Sequence, residues 1–163
     1  MTYEAHLTKI DIVAVGEPNE LVASSISAYQ QRLSELVELR VAQIPGKPAV
    51  AQRGVPVSEE AKRVAATVEQ IEQERGEQFP ILLMDHYGDT LNSPEFAAKF
   101  LPLPYLCVIV GGIFGLHETL DGRDMRRVSF GRMTLSPSIA RLVITDQLYR
   151  ALRVANDLEY DLN

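Results

Sequence analysis

Three short segments carry residue types able to hold a small ligand. They are Met84-Asp85, Gly111-Gly112-Ile113-Phe114-Gly115 and Phe130-Gly131-Arg132-Met133-Thr134-Leu135. Each follows a stretch with strand character, and in open α/β sheets ligands sit where strands end. Glycine at such a place takes positive φ without strain and lets backbone approach a ligand closely. The spacing of Gly111, Gly112 and Gly115 is not the Gly-x-Gly-x-x-Gly dinucleotide fingerprint, and no acidic residue follows at the expected distance. Taken alone, this segment reads as a tight turn.

Other familiar chemistry is missing. There is no Gly-x-Ser-x-Gly elbow and no Walker loop. His86 and His117 border two of the segments, but each reads first as a surface or capping histidine. Asp85 and Asp89 sit in a turn-like Asp-His-Tyr-Gly-Asp run. With one cysteine and three histidines, no closed zinc site can be assembled, so no metal is expected. Cys107 lies in the apolar run Tyr105–Val110 and reads as core.

The elements that must position these segments alternate between strands and helices. Lys9–Val15 and Val37–Ile44 read as strands, joined by a helix that Asn19 could cap, with Leu21, Ile26, Tyr29, Leu33 and Leu36 on its apolar side. A Gly/Pro-containing loop spans 45–56. Ser58 could cap a charged helix ending near Gly76. Pro80–Asp85 and Tyr105–Val110 are continuous apolar runs, the pattern of strands covered on both faces. A helix opens at Asn92, another spans roughly 118–122, Arg127–Phe130 forms a short strand, and Ser136-Pro137 begins the last helix. The expected class is α/β, a mainly parallel sheet flanked by helices.

At 163 residues, a single domain covering 1–163 is expected. No apolar run approaches the roughly 18 residues of a membrane span, and no signal peptide is recognisable, which points to the cytoplasm. The net charge of −6 argues against a general nucleic-acid binder. Positive charge is nevertheless concentrated at Arg123, Arg126, Arg127, Arg132, Arg141, Arg150 and Arg153. That stretch is either a solvated face with ion pairs or a contact surface for phosphate.

The most distinctive stretch is Met133-Thr-Leu-Ser-Pro-Ser-Ile-Ala-Arg-Leu-Val-Ile-Thr-Asp-Gln-Leu-Tyr-Arg-Ala-Leu152. Together with Ile12–Gly16, Val110–Leu116 and Tyr160, it resembles the RlmH family of SPOUT-class methyltransferases, which methylate N3 of a pseudouridine in large-subunit (23S) rRNA. The resemblance covers nearly the whole chain. Ser136-Pro137 and Asp161 depart from the family's usual residues.

The resemblance implies a C-terminal deep trefoil knot, a homodimer, and S-adenosyl-L-methionine as cofactor. It places the cofactor against Met84, Gly111, Gly112, Gly115, Phe130, Gly131, Arg132, Met133, Thr134 and Leu135. It gives catalytic roles to Arg150, stabilising negative charge or holding phosphate, and to Tyr160, stacking on or hydrogen-bonding a base. The partner would be ribosomal RNA or the assembled ribosome, with no membrane involved. A dimer would expose apolar residues of the last helix, for example Ile139, Val143 and Leu148, or a face of the first helix. The readings kept beside this one are a knotted homologue without catalysis, serving as a binding or assembly module, and a methyltransferase with a different substrate.

Overall fold

A computed structural model describes residues 4–45, 59–111 and 116–156. The element order is β1 (Lys9–Val15), α1 (Ala23–Ser34), β2 (Glu38–Ile44), α2 (Glu59–Arg75), β3 (Ile81–Thr90), α3 (Ser93–Phe100), β4 (Tyr105–Val110), α4 (Leu116–Thr119), β5 (Met125–Ser129) and α5 (Pro137–Ala155). The five strands form one sheet in the order β2-β1-β4-β3-β5, and every ladder is parallel. The Ser58 cap and most of the 45–56 loop lie outside the described residues.

Strand alternation divides the core into two layers. Ile10, Ile12, Leu82, Met84, Leu106, Val108 and Val110 face one side, where α1, α3 and α5 supply Leu33, Phe96, Phe100, Ile144, Leu148 and Leu152. Val13, Val15, Ile81, Leu83, Cys107 and Ile109 face the other, under Val64, Val68 and Ile71 of α2. β4 lies between β1 and β3 and is buried on both faces, which is why its sequence is an unbroken apolar run.

Local chemistry sets several boundaries. α2 stops at Gly76, whose φ of 77° is favourable for glycine and whose N–H caps Glu72. α3 starts with a reciprocal capping box between Asn92 and Glu95. The Asp11 carboxylate, buried on β1, is held by Arg40 of β2 and Arg75 at the end of α2.

Some boundaries and faces differ from the sequence expectation. Asn19 caps only a tight turn: its Oδ1 accepts the Leu21 N–H and its carbonyl accepts the Val22 N–H, so α1 begins at Ala23. Leu21 is therefore 84% exposed and off the helix's apolar side. α4 spans 116–119 rather than 118–122, and β5 ends at Ser129 rather than Phe130. The Asp85–Asp89 run is a bulge inside a longer β3, since Met84 and Asp89 both pair with Val128. Leu148 faces the monomer's core at 1% exposure and cannot serve as a dimer contact, whereas Ile139 is exposed.

Candidate functional site

The site gathers at the carboxyl edge of the sheet. Met84 is the last residue of β3 before the bulge and sits in the core layer beneath α5. Gly111 follows β4 with φ 91°, and a Cβ there would come within 3.2 Å of the Val15 Cβ at the end of β1. Two neighbouring strands therefore close on each other only because residue 111 is glycine.

Beyond β5, the buried Ser129 hydroxyl folds the chain back on itself. It donates to the Gly131 carbonyl at 2.9 Å and accepts the Gly131 N–H at 3.2 Å, with Gly131 at φ 116°. The following residues, Arg132, Met133, Thr134 and Leu135, are exposed, Met133 at 81%. Among the described residues, none of these four makes a hydrogen bond. An apolar, exposed loop with unclaimed backbone donors suits a flat heteroaromatic ring, which needs apolar walls and amides to read its edge. Phe130 packs its ring against the core and anchors the loop's start.

A separate cavity of about 250 Å³ opens between the ends of β1 and β4 and the first turns of α5. Val15, Gly16, Glu17, Val110, Ser138 and Arg141 contribute to its lining. Ser138 Oγ accepts the Asn19 N–H at 2.8 Å and ties α5 to the β1–α1 loop. Arg141 is 4% exposed and donates to the side-chain oxygens of Gln30 and Gln43 at 2.8–3.2 Å. Burial pushes the guanidinium's pKa down, and Glu17 at the cavity's edge offsets part of that. Arg141, one of the arginines offered from the sequence as a phosphate-contact surface, is buried instead, and the cavity has no counterpart in the sequence reading. Its walls come from residues far apart in the chain, and a buried arginine held by neutral amides has no sequence signature.

The arginine-rich stretch resolves mostly into structure. Arg123 pairs with Glu72, Arg126 with Asp124, Arg127 with Asp85, and Arg150 with Asp146. Arg153 lies over the Tyr149 ring, which in turn meets Tyr29 edge-on, so Tyr149 serves packing between α5 and α1. Arg132 alone of the seven remains an exposed side chain on the site loop. The structure thus brings Met84, Gly111 and the 130–135 loop to one edge and sets Arg150 further along α5. Gly112, Gly115 and Tyr160 lie outside the described residues, as does the side chain of His117.

An all-parallel α/β sheet with an exposed loop after its last strand is the ground plan of a protein that binds its ligand at the carboxyl edge. A family model described as "Predicted SPOUT methyltransferase" matches residues 8–161, and the chain belongs to that family. It is 29% identical to a ribosomal RNA large subunit methyltransferase H from Streptococcus uberis, across 93% of this chain and 98% of that protein. Proteins of the same name from Ruminiclostridium cellulolyticum and Pseudothermotoga lettingae are 28% and 24% identical over the same shares. Among solved structures, a tRNA (m1G37) methyltransferase from Aquifex aeolicus shares the fold with a TM-score of 0.55 at 17% identity, covering 88% of this chain and 69% of that one. The protein is therefore a methyltransferase by family. No described helix is long and apolar enough to cross a membrane.

Proposed function

We propose that this protein is an S-adenosyl-L-methionine-dependent methyltransferase acting on N3 of a pseudouridine in large-subunit ribosomal RNA, as a cytoplasmic homodimer. In this reading its single domain carries a C-terminal segment threaded into a knot. The observation that supports it most is the exposed loop Arg132–Leu135, which makes no hydrogen bond among the described residues. Its relatives' shared name supplies the substrate class.

The donor set fits the cofactor. Met84, Met133 and Leu135 would wall the adenine, the 132–135 amides would read its edge, and Gly111 with Gly112 would leave room for the remainder. When bound, the cofactor supplies a methyl group already activated on a sulfonium, so no protein nucleophile is required. The chain's own task is to orient the base and handle the N3 proton, which must leave as the new N–C bond forms. A guanidinium near that nitrogen lowers its pKa. Arg150 takes this role, its charge shared with Asp146. Tyr160 stacks on or hydrogen-bonds the base.

Calorimetric titration with S-adenosyl-L-methionine, followed by transfer of labelled methyl to ribosomes, large subunits or bare rRNA lacking the mark, tests this reading. Saturable binding and labelling of one pseudouridine are expected. An absence of binding heat would leave a binding or assembly module in its place. Binding with label on another RNA only would reassign the substrate.

A further inference from the structure

The bulge in β3 interrupts the ladder with β5 and is firmly built. Asp85–Gly88 leave the ladder between two residues that both pair with Val128. The Asp85 carboxylate, 9% exposed, accepts the Tyr87 N–H at 3.0 Å and pairs with Arg127 Nε at 3.4 Å. Gly88 lies so close to β5 that a Cβ would fall 2.6 Å from the Arg127 carbonyl carbon and the Val128 nitrogen. The outcome of this construction is Tyr87, 87% exposed, with the His86 ring edge-on at 5.1 Å.

An aromatic ring held out in water forgoes the burial that usually stabilises it. Its position explains the arrangement. Met84, at the root of the bulge, is a proposed adenine wall. Arg127, beneath the bulge, is 41% exposed, and β5 leads straight into the loop bearing the exposed Arg132. An aromatic face flanked by guanidinium groups is the combination that binds unpaired nucleotides, by stacking on the base and attraction to phosphate.

We propose that Tyr87 is a stacking platform for an unpaired RNA base next to the target nucleotide, with Arg127 and Arg132 contacting the adjoining phosphates. This rests on the rRNA reading above. The ring, rather than its hydroxyl, supplies the contact.

The test compares Tyr87→Ala, Tyr87→Leu and Tyr87→Phe in the full-length protein. The readouts are methyl transfer to unmethylated large-subunit rRNA particles, calorimetry with the cofactor, and thermal melting. Loss of one base stack should raise KM for the RNA roughly tenfold in the Ala and Leu variants, with kcat, cofactor affinity and melting unchanged and Phe restoring wild-type behaviour. A 2-aminopurine placed beside the target in a short RNA should be quenched by wild type and Phe, and not by Ala or Leu. Unchanged KM in Tyr87→Ala overturns the proposal. So does full rescue by Leu, which would mark a general apolar contact such as a protein partner. If the wild type itself transfers no methyl to ribosomes, large subunits or bare rRNA lacking the mark, the functional reading fails, and this one with it.

Discussion

Arg150 Nε donates to Asp146 Oδ2 at 2.8 Å, one helical turn back along α5, while Asp146 Oδ1 is buried without a hydrogen-bond donor. The pair is thus a half-neutralised cation rather than a bare one. Its arginine is 32% and its aspartate 19% exposed, so removing the arginine also leaves a mostly buried carboxylate without its ion partner. Its worth should appear in turnover. Arg150→Ala is expected to lower kcat by about 10- to 100-fold and to lower the melting temperature as well, and Arg150→Lys should recover part of both. Single-turnover methyl transfer with saturating cofactor measures this directly.

Gly111 gives a second expectation. At φ 91°, with Val15 Cβ only 3.2 Å from any added Cβ, Gly111→Ala must strain the backbone or separate the ends of β1 and β4. Affinity for S-adenosyl-L-methionine should fall at least tenfold by calorimetry, while the far-UV spectrum of the folded variant stays that of wild type.

Cys107 is fully buried at the centre of β4. Burial, with the negative charges of Asp11 and Glu72 nearby, raises its thiol well above the ordinary range. It should resist an aromatic disulfide reagent in the native protein at pH 8 and react stoichiometrically once denaturant unfolds the chain. Fast labelling without denaturant would show that the sheet opens readily.

Acid should loosen the seam between β2 and α2. Hydrogen bonds and charge from Arg75 lower the Glu38 pKa, and Arg40 does the same for Glu74, both from an ordinary value of 4.5. Groups whose folded pKa is depressed contribute their stability above the unfolded pKa and lose it as pH falls through the folded one. Melting temperature should therefore decline from about pH 4.5 downward, and Arg75→Met should flatten that decline while lowering the plateau. Both carboxylates are exposed, so high salt should reduce the effect.

How much of this was legible beforehand depends on what limits each element. β1 and β4 match their sequence boundaries to the residue, because an apolar β-branched run bounded by Gly or Pro leaves little freedom. β3 does not: Asp85 and Gly88 are turn formers, and only the pairing of Asp89 with Val128 shows that the strand resumes. Helical periodicity marked Leu148 as apolar but could not say whether core or partner covers it, and the core does. The placement of Met84, Gly111 and Phe130–Leu135 at or just beyond strand ends was readable from the strand pattern. The cavity over Arg141 was not, since Gln30 and Gln43 reach that arginine across 111 and 98 residues of sequence.

One layer of the core joins Leu7 and Ile10 near the beginning of the chain to Ile144, Leu148 and Leu152 near its end. During translation, part of the hydrophobic side of the early strands has to wait for α5. A polypeptide released before residue 152 would present that uncovered surface to chaperones and proteases.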